Sequence, residues 1–244
     1  MHSTRPLAFF VTGTDTDAGK TTLSAGLLAS AREQGLSTLA CKPVASGSIN
    51  TREGLRNHDA LQLAAQCSIQ VPYEHLNPHA FIPAIAPHLA AASSGVLLEC
   101  SELQRDVTRI LAHRASLTLI EGAGGWRVPI NERETLADLA IAVQLPVILV
   151  VGMKLGCINH ALLSAEAILR DGLTLSGWIA NGTDPGMACQ ADNIRTLQQL
   201  MPAPCLAVIP HLPSARPAAV ARYLEPALTT LLSQSTTTQT ATRS

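Results

Sequence analysis

Residues 12–22 read TGTDTDAGKTT. Small and polar residues fill the stretch, and its Gly-Lys-Thr-Thr leads directly into alanines and leucines. A loop of this kind suits phosphate. Residues without bulk let successive backbone N–H groups point at phosphate oxygens. A helix starting at the lysine aims the positive end of its dipole at the anion, the lysine reaches the outer phosphates, and the threonine hydroxyl can ligate Mg2+. Gly19, Lys20 and Thr21 fill these roles. The spacing is one residue longer than the usual pattern, because five residues rather than four separate Gly13 from Gly19. The extra residue lengthens the loop upstream of the cradle.

Three further residues have the chemistry to work beside a triphosphate. Glu121 closes an apolar Leu-Thr-Leu-Ile run and is followed by Gly-Ala-Gly-Gly. P-loop enzymes hold Mg2+ with a carboxylate besides the threonine, and glycines allow a ligand to approach closely. Lys42 ends the run Thr-Leu-Ala-Cys and precedes Pro43; a second ammonium near the outer phosphate stabilises charge that develops during transfer. Asp59 opens a helical stretch, where taken alone it reads as an N-cap.

These residues need elements to carry them. Short β-rich runs at 7–12, 37–43, 117–121, 146–152, 175–181 and 205–210 alternate with helical patterns at 20–34, 59–66, 101–115, 136–144, 158–170, 188–201 and 218–232. The Pro- and Ala-rich stretch 83–95 holds one more candidate helix. Strands separated by helices imply a doubly wound α/β domain with a mainly parallel sheet and a P-loop NTPase-like core. Aromatics make up only 3% of the chain, so that core is built of Ala, Leu, Val and Ile. One domain is expected over 1–232, and the Ser/Thr-rich 233–244 reads as a disordered tail. In such sheets ligands sit beyond the carboxyl ends of the strands. The segments 13–22, 42–48, 121–125, 154–159, 181 and 210–212 all fall on that edge.

Bulk properties exclude other classes. A formal net charge of -1 gives no electrostatic footprint for nucleic acid or anionic lipid. Six cysteines lack CxxC spacing, which argues against zinc and for reduced thiols in a cytoplasm. The longest apolar stretch, LAIAVQLPVILVVGM, is too short to span a bilayer.

The pieces FFVTGTDTDAGKTT, KPVASGS, EGLRNHDAL, EGAGGWRVPI, LPVILVVGMKLGCINHALLSAEAI and GWIAN, in this order over residues 8–212, resemble the dethiobiotin synthetases. The resemblance implies an ATP- and Mg2+-dependent enzyme that joins CO2 to 7,8-diaminononanoate and closes a cyclic urea through a carbamate and a carbamic-phosphoric anhydride. It implies that Lys20 and Lys42 act on the transferring phosphoryl group, and that Thr21, Asp59 and Glu121 hold Mg2+. Asp17, Ala18, Gly19, Lys20, Thr21 and Thr22 would wrap the triphosphate, together with Asp59, Glu121, Gly122, Ala123 and Gly124. Asn181, Gly182, Pro210, His211 and Leu212 would face the base. Thr16 and Ser46 would orient the diamine. Cys157, Ile158 and Asn159, at a helix start, would reach the substrate carboxylate from a partner subunit, which implies a homodimer with its site at the interface. The chain departs from the family pattern at Gly182, where an acid is common, at His211, where an aromatic is common, and at Asn193.

An alternative is a nucleotide switch similar to the septum-site and partition ATPases. Those carry a lysine four residues before the glycine of the Gly-Lys-Thr. Here that residue is Asp15.

Overall fold

The computed structural model describes residues 6–212 and 214–237. In chain order its elements are β1 (Leu7–Gly13), α1 (Lys20–Glu33), β2 (Thr38–Cys41), β3 (Val44–Ala45), β4 (Ile49–Thr51), β5 (Gly54–Arg56), α2 (His58–Ala64), α3 (Tyr73–Leu76), β6 (His79–Ala80), α4 (Pro87–Ser93), α5 (Cys100–Leu111), β7 (Leu117–Glu121), α6 (Leu136–Val143), β8 (Val147–Gly152), α7 (Cys157–Arg170), β9 (Leu175–Asn181), α8 (Gln190–Leu200), β10 (Cys205–Ile209) and α9 (Pro217–Thr237).

Six strands form one parallel sheet in the order β10-β9-β8-β1-β7-β2. Parallel strands need crossovers that cover both faces, so central strands read as continuous apolar runs. β7 and β8 are buried at every position. The burial of β7 includes Glu121, and that exception marks the site. Helix α1 lies over β1, β7 and β2 and packs Leu23, Leu27 and Leu28 into the core.

The strand order creates the crevice. β1 sends its connection to β2, beyond β7, whereas β8 sends its connection to β9 on the other side. The chain therefore diverges above β1 and β8, which is where such sheets bind ligands.

The six expected main strands and the expected helices are present, with shifted ends. The second strand stops at Cys41, so Lys42 and Pro43 stand beyond it. The helix expected over 101–115 stops at Leu111, and Arg114 takes a left-handed φ of 52°. The last helix passes its expected end and runs to Thr237; the remainder of the expected tail, 238–244, lies outside the described residues. Two small sheets, β3–β6 and β4–β5, and the short α3 were not expected.

Candidate active site

The loop between β1 and α1 is shaped by two left-handed residues, Asp17 (φ 59°) and Gly19 (φ 93°). The first intrahelical bond runs from Leu23 N–H to Gly19 O at 3.0 Å. The amides of Lys20, Thr21 and Thr22 therefore face outward at the positive end of a 14-residue helix. No acid stands in the first turn and no side chain caps Gly19, so the helix start is left open to an anion. Only glycine fits at 19, because a Cβ would run into Asn181 Nδ2 in addition to the positive φ.

The extra loop residue has a use. Asp15 Oδ1 accepts the Thr16 N–H at 2.8 Å, and Asp15 Oδ2 pairs with Lys154 Nζ at 2.6 Å. The lengthened loop is thereby tied to the segment after β8, across the crevice. The Lys154 hydrogen bond, opposed by partial burial, holds the Asp15 carboxyl below the usual carboxylate range.

A buried polar cluster lies beside the cradle. Glu121 is 0% exposed. Its Oε1 accepts Thr21 Oγ1 at 2.6 Å and Lys42 Nζ at 2.8 Å, and Lys42 Nζ also lies 3.2 Å from Asp59 Oδ2. Burial alone would push the Lys42 ammonium down, but the Glu121 and Asp59 carboxylates outweigh it and hold its pKa above the ordinary value. Lys20 meets the opposite balance. Burial and the neighbouring Lys42 charge lower its pKa to about 8, against partial support from Glu121, Asp59 and Asp17. Its Nζ donates to Gly124 O at 2.6 Å and Asp15 O at 3.1 Å.

Glu121 Oε2 is buried without a hydrogen-bond partner. An unsatisfied carboxylate oxygen is costly unless a cation reaches it. Thr21, Glu121 and Asp59 offer oxygen donors only, the set preferred by a hard ion such as Mg2+. Among the described residues no group of three His, Cys, Asp or Glu side chains converges for a metal. A cation held here accordingly takes its remaining ligands from water or substrate phosphate, as Mg2+ commonly does.

The far end of the crevice has a different construction. Asp17, Gly19, Thr22, Asn181, Gly182, Pro210, His211 and Leu212 line one cavity of about 260 Å³. Asn181 Nδ2 donates to Ala18 O at 2.9 Å and fastens the cavity to the phosphate loop. Gly182 N–H donates to Ile209 O at 2.8 Å, and His211 Nδ1 lies 3.2 Å from Gly182 O. A Cβ at Gly182 would come within 2.7 Å of the His211 backbone nitrogen, so the acid common in the resembled family has no room against this backbone.

Thr16 lines a second cavity, of about 330 Å³, with Asp15, Asp17, Ala18, Gly152 and Lys154. Ser46 Oγ is buried without a hydrogen-bond partner, like that of Ser48. Gly122 and Ala123 continue β7, with Gly122 N–H bonded to Val11 O at 3.0 Å. Cys157, Ile158 and Asn159 do open α7 after Gly156, but they line neither cavity.

One reading needs correction. Asp59 is not the N-cap of α2. Asn57 is, and it accepts the Ala60 N–H at 3.2 Å, which leaves the Asp59 carboxylate free to face Lys42. Asn57 and Asn77 escaped the sequence reading. Asn57 Nδ2 donates to Ser46 O at 3.0 Å, and Asn77 Nδ2 donates to Lys42 O at 2.7 Å. Lys42 N–H in turn donates to Leu76 O at 2.8 Å. An asparagine two residues before the first acid of a helix was a visible capping signal for Asn57; Asn77 carried none.

All six cysteines are free. Among the described residues no helix is long and apolar enough to cross a membrane.

Residues 8–219 match a family model described as an AAA domain. ATP-dependent dethiobiotin synthetase BioD of Pseudomonas aeruginosa (strain UCBPP-PA14) is 61% identical over 218 residues, covering 89% of this chain and 96% of that one. The protein of the same name from Chromohalobacter salexigens is 56% identical over 228 residues, covering 88% and 96%. Among solved structures, the MinC:MinD cell division protein complex of Aquifex aeolicus is similar with a TM-score of 0.60 at 15% identity, over 93% of this chain and 96% of that one. The septum site-determining protein MinD of Pyrococcus horikoshii OT3, complexed with Mg-ADP, is similar with a TM-score of 0.52 at 16% identity, over 94% and 96%. At such identities the likeness extends to the fold alone.

Proposed function

Because the chain belongs to the dethiobiotin synthetase family, we propose that it makes dethiobiotin, ADP and phosphate from 7,8-diaminononanoate, CO2 and ATP. One amine adds to CO2 and loses a proton, giving a carbamate. A carbamate oxygen attacks the γ-phosphorus and ADP leaves, giving a carbamic-phosphoric anhydride. The second amine attacks the carbonyl carbon, expels phosphate and closes the five-membered urea.

Each stage asks for positioning and charge stabilisation rather than for a protein nucleophile. The open amides of α1 and the Lys20 ammonium bind the triphosphate. Lys42 stabilises charge on the transferring phosphoryl group and the carbamate. Thr21, Glu121 and Asp59 hold Mg2+, which supplies neutralising charge to the phosphate oxygens when bound. Asn181, Gly182 and Pro210–Leu212 enclose the base. Thr16 and Ser46 orient the diamine. Residues 157–159 of a second copy bind the distal carboxylate at a helix N-terminus, so the enzyme works as a homodimer in the cytoplasm.

The observation that carries this reading is the buried chain from Thr21 Oγ1 through Glu121 to Lys42, beside the uncapped start of α1. A buried lysine and glutamate next to an anion cradle have no structural need that an apolar pair would not meet as well.

The test is incubation with ATP, Mg2+, bicarbonate and the diamine, followed by mass detection of the cyclic urea. Product that vanishes when the metal, bicarbonate or diamine is omitted is the expected result. ATP hydrolysis indifferent to the diamine, with no cyclic urea, would overturn the reading.

A further inference from the structure

Helix α7 carries an acid at its unfavourable end. Asp171 is its C-cap. The last turn of a helix is its negative pole, and a carboxylate there is repelled unless something else holds it. Two donors do. Trp126 Nε1 donates to Asp171 Oδ2 at 2.8 Å, and Arg127 Nη2 donates to Asp171 Oδ1 at 2.7 Å. Trp126 is itself buried, with its ring edge-on to Phe10 of β1 at 6.1 Å between centroids.

Trp126 and Arg127 directly follow the segment 122–125, which reads Gly-Ala-Gly-Gly. That segment touches the phosphate site. The Gly124 carbonyl receives Lys20 Nζ at 2.6 Å, and the Gly125 backbone lies against Gly13 and Thr14. Apart from one methyl it has no side chain with which to hold itself, and glycine-rich backbone has many states to choose from. One end is fixed by β7, with Gly122 N–H on Val11 O, and Lys20 touches the segment at Gly124. The other end is held by Trp126 packed on Phe10, by the two side chains that grip Asp171, and just beyond by the Leu136 N–H on Val128 O at 2.8 Å.

We infer that Asp171 is a positioning residue for the phosphate site. Through Trp126 and Arg127 it sets where the glycine segment lies against Lys20 and the β1–α1 loop. The inference deepens the proposed phosphoryl transfer and rests on it. It also gives α7 a second task. The helix whose first turn is proposed for the substrate carboxylate anchors, about 20 Å away at its other end, the segment that faces the nucleotide.

Asp171→Ala, Asp171→Asn and Trp126→Phe test this against the wild type. Phenylalanine keeps an aromatic edge toward Phe10 and removes only the N–H donor. In Asp171→Ala, kcat should fall about tenfold, as loss of positioning does, while the KM for ATP moves by less than about threefold. Trp126→Phe should reproduce most of that loss, and Asp171→Asn, with one acceptor left, should recover part of it. The chain has two tryptophans, and the other, Trp178, is fully buried in β9. Acrylamide quenching of Trp126 emission, assigned by its absence in Trp126→Phe, should rise in Asp171→Ala. Quenching needs no turnover, so it separates failure of the clamp from failure of the functional reading. Wild-type kcat and quenching in Asp171→Ala would overturn the inference. A kcat loss matched by an equal loss of folded protein in circular dichroism would do the same.

Discussion

The two ends of the crevice are made of different material. The phosphate end is built from charged side chains on the ends of separate elements: Lys20 and Thr21 on α1, Lys42 after β2, Asp59 on α2 and Glu121 on β7. The base end is built largely from backbone, with Gly182 against the segment 209–211, the Asn181 amide fastened to a carbonyl and the His211 ring beside Gly182 O. Charges taken out of water are mutually dependent, so removing one exposes the cost of the others. Backbone walls respond to shape and hardly to pH. In the proposed complex ATP is held mainly by charge at one end and mainly by shape at the other.

Breaking the charged end should give the largest effect. Lys42→Ala is expected to lower turnover by about 10²–10³, the usual loss for one preorganised charge in a transition state. ATP affinity should change far less, because Lys42 acts mainly as charge develops. Single-turnover kinetics beside calorimetric ATP binding measure the split. Turnover close to wild type would remove Lys42 from the chemistry.

The next effect reads the charge without altering reactive groups. Lys20 falls from an ordinary 10.5 to about 8, a shift worth ~3 kcal/mol at 1.36 kcal/mol per unit. Between those values the unfolded chain keeps the proton and the free fold does not, so the stability of the nucleotide-free protein should rise with pH from about 8 to 10.5. Urea midpoints across that window measure it. Saturating ATP should flatten the rise, because bound phosphate restores the ammonium. A slope that survives in Lys20→Met would assign it to other groups.

The smallest effect sharpens the other side of the comparison. In Gly182→Ala the new Cβ meets the His211 nitrogen. The 209–211 backbone must shift to admit it, and that displaced wall should raise the KM for ATP by about tenfold with kcat nearly unchanged, the signature of lost uniform binding. A fall in kcat instead would show that the two ends are not separable.

The same division explains what could be read from the sequence. The main strands are largely buried, mostly apolar runs, and each is followed by polar residues, so the sheet and its polar edge were legible. Lys42, Glu121 and the Gly-Lys-Thr stood out because charge at the end of an apolar run is conspicuous. Within 44–96 the helices α2 and α4 were legible, but the strands and α3 were not. The strands there are two or three residues long, too short to show a period, and they are held by distant contacts. Tyr73 Oη accepts the Asn57 N–H, Arg56 stacks over the Tyr73 ring, and Asn77 reaches back to Lys42. That Asn181, Gly182 and 210–212 line one cavity was suggested only by family resemblance, since backbone walls leave little trace in residue type beyond a glycine. Asp171 was hidden for another reason: its partners lie 44 and 45 positions away.

Both polar atoms of the Lys42 peptide are occupied by the stretch at 76–77, the N–H by a carbonyl and the carbonyl by a side-chain amide. The ammonium thus hangs from a mooring that does not drift, and the length of four methylenes decides where the cation sits. A helix of only four residues on the periphery, Tyr73–Leu76, becomes part of the ruler. A nick or insertion beside Asn77 would move the Lys42 ammonium while leaving every residue of the crevice unaltered.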